Sequence, residues 1–123
     1  LILGATGGRI DHLWANVQSL MIPFKAGVDA RILDEQNRIR LIHGDVKLKR
    51  SEAYGPYFSV FPLGEVIYGF HISGAKYPLE DHVLTPYDSL CVSNQFEEEE
   101  VTISAPGGTV ILMETRDKKA ESI

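Results

Sequence analysis

The hydrophobic pattern of this sequence changes character after residue 28, and this change constrains the fold most. From there on, apolar residues come in short runs such as ARILD, YFSVFPL, VIYGFHIS and TVILMET, separated by turn-forming segments such as HGD, PLGE and PGG. Runs of this length and spacing are typical of β-strands joined by tight turns. No helical period of useful length recurs. This part of the chain is therefore predicted to form an antiparallel β-sandwich or barrel.

Before the change, the chain consists of an apolar run, a glycine-rich segment and one amphipathic stretch. LIL precedes GATGG, and apolar residues within Ile10–Phe24 recur at the spacing of one helical face, which Pro23 and Gly27 end. We predict the end of a Rossmann-like α/β domain (strand, glycine turn, helix) over residues 1–35. An antiparallel β-sandwich or barrel domain follows over residues 36–123. The fold class is thus α/β followed by all-β.

The segment GATGGRIDH is the first candidate site. A glycine-rich turn before a helix presents unpaired N–H groups and the positive end of the helix dipole to an anion. Arg9 offers bidentate donors for phosphate oxygens, Asp11 could hold Mg²⁺ through an oxygen ligand, and His12 could orient either. The segment has neither the ending of a Walker motif nor the GxGxxG spacing. In the structural alternative, Thr6 and Asp11 cap the helix and Arg9 is a surface charge.

Two further candidate segments lie in the strand-rich part. In SGAKYPL, a turn at a strand end could expose Tyr77, although a core tyrosine at a β-corner is the structural alternative. In SNQF, Ser93 and Asn94 could hydrogen-bond to a heteroaromatic ligand or only terminate a strand. The acidic run Glu97–Glu100 is expected to be a solvated loop leading into the strand VTIS.

Charge and cysteine content exclude some classes of function. A formal net charge of −5 argues against nucleic acid as a partner, because phosphate binding requires clustered Lys and Arg. No apolar run approaches the roughly 18 residues of a membrane span. The single Cys91 allows no internal disulfide and favours a reducing, cytoplasmic setting, with a buried and inert thiol. The chain has no initiator Met and begins like the end of a buried strand, so we expect a fragment of a longer protein.

Five segments in order resemble the thiamin pyrophosphokinase family: GATGGRIDHLWAN, ARILDEQNRIRLI, FSVFPLG, SGAKYPL and SLCVSNQFEEEEVTISAPGGTVILMETRD. The resemblance implies a transferase that moves pyrophosphate from ATP to thiamin with Mg²⁺, giving thiamin diphosphate and AMP. It also implies an ATP-binding catalytic domain over residues 1–35, a thiamin-binding domain over 36–123, and a homodimer with its active sites at the interface. The competing hypothesis is a non-catalytic β-sandwich module for ligand binding or dimerisation.

The resemblance further implies roles for individual residues. Asp11 and Arg9 would be catalytic, and Asp11 would ligate the metal. The residues expected to bind the nucleotide are Thr6, Gly7, Gly8, Arg9 and His12. Tyr77 would flank thiamin where the family carries an aromatic residue, and Ser93 with Asn94 would meet the aminopyrimidine end.

Overall fold

A computed structural model describes residues 2–3 and 8–118 of the chain. The described residues form two short helices, one 3₁₀ turn and eight strands. In chain order these are β1 (Ile2–Leu3), α1 (Ile10–Ser19), α2 (Met21–Lys25), β2 (Ile32–Leu33), β3 (Asn37–Lys49), the 3₁₀ turn (Arg50–Glu52), β4 (Tyr57–Pro62), β5 (Ile67–Ser73), β6 (Leu79–Leu84), β7 (Asn94–Gln95) and β8 (Glu100–Thr115).

The eight strands belong to one sheet, which is antiparallel almost throughout. Its order is β1-β2-β3-β8-β4-β7, and β5 joins it by pairing with β8 and β6. Among the described strands, only β1 and β2 pair in parallel. The predicted antiparallel β-sandwich or barrel is confirmed in its antiparallel pairing, and it takes the form of one curled sheet. A complete Rossmann-like domain is not seen in the described residues, where the α/β part consists of this parallel pair and the two helices.

The long strand β8 organises the sheet. It pairs with β3 along its length, with β5 through its first half and with β4 through its second half. Opposite the step from His43 to Gly44, β8 carries three extra residues, Pro106 to Gly108. The β8 residues that are buried inside the curled sheet have odd numbers before this insertion and even numbers after it, so the three extra residues keep all of them on one face. β8 can therefore bend and still line one core.

The sheet buries apolar side chains on both of its faces. The cluster that we call the β core lies inside the curled sheet and consists of Leu48, Phe58, Val60, Ile67, Phe70, Ile72, Ala75, Leu84, Cys91, Phe96, Val101, Ile103, Ala105, Val110 and Leu112. The cluster that we call the helix layer lies under α1 and α2 and consists of Val17, Leu20, Ile32, Ile39, Leu41 and Ile111. Strand alternation explains the division, since β3 directs Ile39 and Leu41 to the helices and Leu48 to the β core.

The predicted helix over Ile10–Phe24 is confirmed, with an interruption at Leu20. The N–H of Leu20 bonds to the carbonyl of Val17, and α2 then begins, with Pro23 in its first turn, where no N–H is required. Two residues of the predicted apolar stripe remain exposed, Ile10 by 80% and Trp14 by 50%. None of the described helices has the length and apolar character needed to cross a membrane.

Candidate functional site

The turn SGAKYPL connects β5 to β6 and is held firmly against residues 95–98. Gly74 has a φ of +77°, and a Cβ there would lie 2.2 Å from the carbonyl oxygen of Glu100, so only glycine fits. The Gly74 carbonyl accepts the N–H groups of Glu97 and Glu98, each at 3.0 Å. The Lys76 N–H donates to the Gln95 carbonyl at 2.8 Å. This segment is therefore a fixed platform despite lying outside the regular strands.

Tyr77 projects from this platform, and 52% of the residue is exposed. The Lys76 ammonium nitrogen lies 5.5 Å from the ring centroid, so the ring already meets a cation. The structure therefore excludes the alternative of a buried core tyrosine. An exposed aromatic ring on a fixed backbone can stack against a planar or cationic ligand.

Asn94 contacts Tyr77 directly in the structure, and Ser93 precedes Asn94 in the chain. Ser93 is exposed, has a φ of +56° and donates its N–H to the buried Ser59 hydroxyl at 2.9 Å. Asn94 is only 1% exposed, and its side-chain amide bonds to both backbone polar groups of Tyr77. The structure thus brings Asn94 to Tyr77, and the roles of all three residues toward a substrate stay predictions.

An open groove of about 390 Å³ runs beside the same turn. It is lined by Pro78, Leu79 and the acidic side chains of Glu80, Glu97 and Glu98, together with His71. Three carboxylates in one groove favour a cationic ligand. The acidic run is exposed, as expected, but two of its members also belong to this groove. Sequence reasoning missed His71 and Glu80, whose only available signal was their position beside the SGAKYPL turn.

The start of α1 forms a second, separate group. Arg9 and Asp11 make an exposed ion pair at 2.5 Å, and Asp11 accepts the backbone N–H of His12 at 2.9 Å. Arg9 occupies the helix N-cap without a side-chain capping bond, and Gly8 has a φ of +82°. Thr6 and Gly7 lie outside the described residues. Asp11 thus satisfies one free N–H of the first turn and also keeps a carboxylate oxygen beside a cation.

The suitability of this group for Mg²⁺ depends on Asp11. No cluster of three or more His, Cys, Asp or Glu side chains able to hold a metal occurs among the residues that the structure describes. Mg²⁺ usually takes one or two carboxylates and completes its coordination with substrate phosphates and water. The exposed Asp11 carboxylate fits the role of one such ligand.

The connection over residues 85–93 is anchored by Asp88. Its carboxylate bonds to the His82 ring and, at 2.8 Å, to the backbone N–H of Leu90. Burial alone would raise the pKa of Asp88, but the Leu90 N–H and the His82 ring stabilise the carboxylate, and the net pKa is lowered. Cys91 follows in the β core, where burial raises the pKa of its thiol to about 12. The expectation of a buried, unreactive thiol is confirmed.

Comparison with known proteins gives consistent matches. Residues 45–110 match the family model described as thiamin pyrophosphokinase, vitamin B1 binding domain. A thiamine pyrophosphokinase of Bacillus subtilis (strain 168) is 33% identical over 117 residues, which cover 94% of this chain and 54% of that protein. The chain thus spans about half the length of this relative.

Solved structures that resemble this chain are named as members of the same family as the sequence matches. The crystal structure of thiamine pyrophosphokinase from Bacillus subtilis aligns with a TM-score of 0.87 at 32% identity, covering 95% of this chain and 55% of that one. The enzyme from Geobacillus thermodenitrificans aligns with a TM-score of 0.80 at 31% identity, covering 95% and 54% of the two chains. Thiamin pyrophosphokinase from Candida albicans, at 18% identity and a TM-score of 0.75, covers 93% of this chain and 43% of that one, and shows the shared fold.

Proposed function

This chain belongs to the thiamin pyrophosphokinase family, and on that premise we propose that the natural protein transfers pyrophosphate from ATP to thiamin, giving thiamin diphosphate and AMP. The observation that carries the proposal is the exposed Tyr77 ring on its fixed turn beside an acidic groove. Thiamin carries a permanent positive charge on its thiazolium ring. An aromatic face and nearby carboxylates both attract such a cation.

The thiamin side of the proposed site uses Tyr77, Ser93 and Asn94. Tyr77 supplies the aromatic wall. Ser93 is exposed and would offer its hydroxyl to the aminopyrimidine, and the buried Asn94 follows it in the chain. The Asn94 side chain holds the Tyr77 backbone and the Ser59 hydroxyl holds the Ser93 N–H, so the site requires little rearrangement to receive a ligand.

The nucleotide side uses the start of α1. Arg9 is exposed and can meet phosphate oxygens with its planar guanidinium, while Gly8 leaves open space for a close approach. His12 is exposed in the first helical turn and, with Gly7 and Thr6, completes the proposed nucleotide group. Asp11 would provide one carboxylate ligand to Mg²⁺, which when bound offsets phosphate charge.

The reaction itself is a displacement at the β-phosphorus of ATP. The hydroxyl oxygen of thiamin forms the new bond to that phosphorus, the bond to the α-phosphate oxygen breaks, and AMP leaves with the bonding electron pair. The hydroxyl proton passes to a base. Because such transfers depend on positioning and on charge stabilisation, the chain contributes mainly by holding the two substrates in line. Arg9 and Asp11 are the catalytic residues in this proposal.

A homodimer and a cytoplasmic location complete the proposal. Large apolar side chains are exposed on the connection that leads to Ser93, namely Tyr87, Leu90 and Val92. A second protomer that covers them would exclude water from the proposed thiamin site. The single, buried Cys91 supports a reducing compartment. Light scattering of the purified natural protein tests the dimer, which a monomeric mass would contradict.

The experiment that tests the function measures AMP release with Tyr77→Ala and Tyr77→Phe. Tyr77→Phe keeps the ring face and is expected to leave the KM for thiamin nearly unchanged. Tyr77→Ala is expected to raise it by an amount equivalent to about 0.5–2 kcal/mol, with the KM for ATP unchanged. A fall in melting temperature without any effect on thiamin would contradict the proposed wall. Absence of Mg²⁺-dependent AMP release from the natural protein would favour the non-catalytic module.

A further inference from the structure

Both polar atoms of the Asn94 side-chain amide bond to neighbouring backbone. Its Oδ1 accepts the N–H groups of Tyr77 at 3.0 Å and of Gln95 at 2.9 Å, and its Nδ2 donates to the Tyr77 carbonyl at 2.9 Å. With 1% exposure, the residue presents almost no surface to a ligand. One donor hydrogen of the amide remains, in a position closed to solvent.

We propose that Asn94 is a positioning residue, which acts on thiamin only through Tyr77. The inference rests on the proposed function, in which the Tyr77 ring is the wall of the thiamin site. It replaces the expectation from the family resemblance that Asn94 itself meets the aminopyrimidine. The two hydrogen bonds to Tyr77 imitate the ladder bonds of a neighbouring strand, which is absent at this point of the turn.

The surroundings of Tyr77 explain why such a clamp is needed. Lys76 is bonded to Gln95, and Leu79 is paired with Ile72 in the sheet. Between them, Pro78 has no N–H, and in the described structure the backbone N–H and carbonyl of Tyr77 hydrogen-bond to the Asn94 side chain. The half-exposed ring receives little help from core packing. Its direction is therefore set by the backbone that Asn94 holds.

Asn94 is itself fixed from the opposite side. It pairs with Phe58 in the short antiparallel ladder between β4 and β7, and Phe58 is fully buried in the β core. The preceding residue, Ser93, is tied to Ser59 of the same strand. A continuous path of contacts thus runs from the β core through Asn94 to the Tyr77 backbone.

A double-mutant cycle in the natural protein tests the inference, with Asn94→Ala and Tyr77→Ala made singly and together. Asn94→Ala is expected to raise the KM for thiamin by about 2- to 30-fold, and by no more than Tyr77→Ala does. The KM for ATP is expected to stay unchanged. In the Tyr77→Ala background, Asn94→Ala should produce no further rise, because the ring through which it acts is gone.

Control variants distinguish a loss of folding, a direct contact of Asn94 with thiamin and a failure of the proposed function. Gln95→Ala removes the neighbouring side chain and should leave the KM for thiamin unchanged. If Asn94→Ala reduces folding, Asn94→Asp, which keeps the acceptor and loses the donor, takes its place. An equal rise of the thiamin KM in both backgrounds would mean direct contact and overturn the inference, as would no rise at all beside an effective Tyr77→Ala. A silent Tyr77→Ala would instead overturn the proposed function.

Discussion

The β core and the helix layer differ in how completely the described residues close them. The β core lies inside a curled sheet, and most of its side chains have no exposed surface. The helix layer has fewer fully buried members, and Ile10, Trp14, Ile22 and Val28 remain exposed around it. Burial of apolar surface is what fixes neighbouring backbone. The difference indicates that the backbone next to the β core is held more rigidly than the backbone at the start of α1.

The two candidate groups follow this difference. The turn around Tyr77 is connected to the β core through Asn94 and Ser93. Arg9 and Asp11 are exposed on the first turn of α1 and bond mainly to each other. We infer that the thiamin side of the site is preformed within the described residues. Under the proposed function, the start of α1 would reach its full arrangement only when phosphate and metal bind.

The largest expected effect is a loss of stability, and it is measured by making the same Phe→Ala substitution in the β core and in the helix layer. Phe58→Ala removes a fully buried ring that meets Phe96 edge-on at 5.7 Å, and should lower the free energy of unfolding by about 3–5 kcal/mol. Phe24→Ala, at a half-buried position at the edge of the helix layer, should lower the free energy of unfolding by clearly less. Urea unfolding of both variants measures the difference. Equal losses would show that the helix layer is closed as completely as the β core.

The next effect concerns the start of α1. Asp11→Asn should lower the rate of AMP release by about 100-fold or more, equivalent to roughly 2.7 kcal/mol, with the melting temperature preserved. The reason is that a neutral amide of similar size is a poorer Mg²⁺ ligand. Asp45→Asn, on the exposed face of β3, is the matched control and should retain the rate. An unchanged rate for Asp11→Asn at saturating Mg²⁺ would limit Asp11 to a structural role in the first helical turn.

The smallest effect tests how the connection before Ser93 is anchored. The folded-state pKa of Asp88 is lowered, so its carboxylate stabilises the fold above its ordinary pKa, and this contribution is lost as the pH falls through the folded-state value. Asp88→Asn should therefore flatten the fall in stability on acidification below about pH 4. Asp117→Asn, at an exposed position, should leave the curve unchanged. The same acid-induced fall in Asp88→Asn would contradict the anchoring role.

Much of the secondary structure could be predicted because it follows from the spacing of apolar and turn-forming residues close together in the sequence. The apolar spacing over Ile10–Phe24 indicates the helix, and alternation with turn residues indicates the strands. The curled shape could not be predicted. It depends on which residues of β3 face the extra residues Pro106 to Gly108 of β8, and that register is set by pairing between residues 61 and 66 positions apart in the sequence. The exposure of Trp14 could not be predicted either, because the spacing of apolar residues identifies the apolar face of a helix but not whether another element packs against it.

The candidate site shows the same limit. Tyr77, Ser93 and Asn94 could be selected by residue type and by family resemblance. What Asn94 does with its amide depends on a turn 17 residues away, and no local pattern contains that contact. Similarly, the buried Glu114 finds its partner Arg38 76 residues away, at 2.7 Å. Hydrogen bonds between distant segments are consequences of the sheet register and become visible only with the structure.

Hydrogen exchange of the natural protein with each substrate added separately tests the central claim most directly. Thiamin alone is expected to slow exchange in peptides covering residues 73–79 and 93–98 and to leave residues 8–24 unchanged. ATP with Mg²⁺ is expected to do the reverse. Slowed exchange at residues 8–24 on addition of thiamin, with residues 73–79 and 93–98 unaffected, would contradict the assignment of thiamin to the Tyr77 turn.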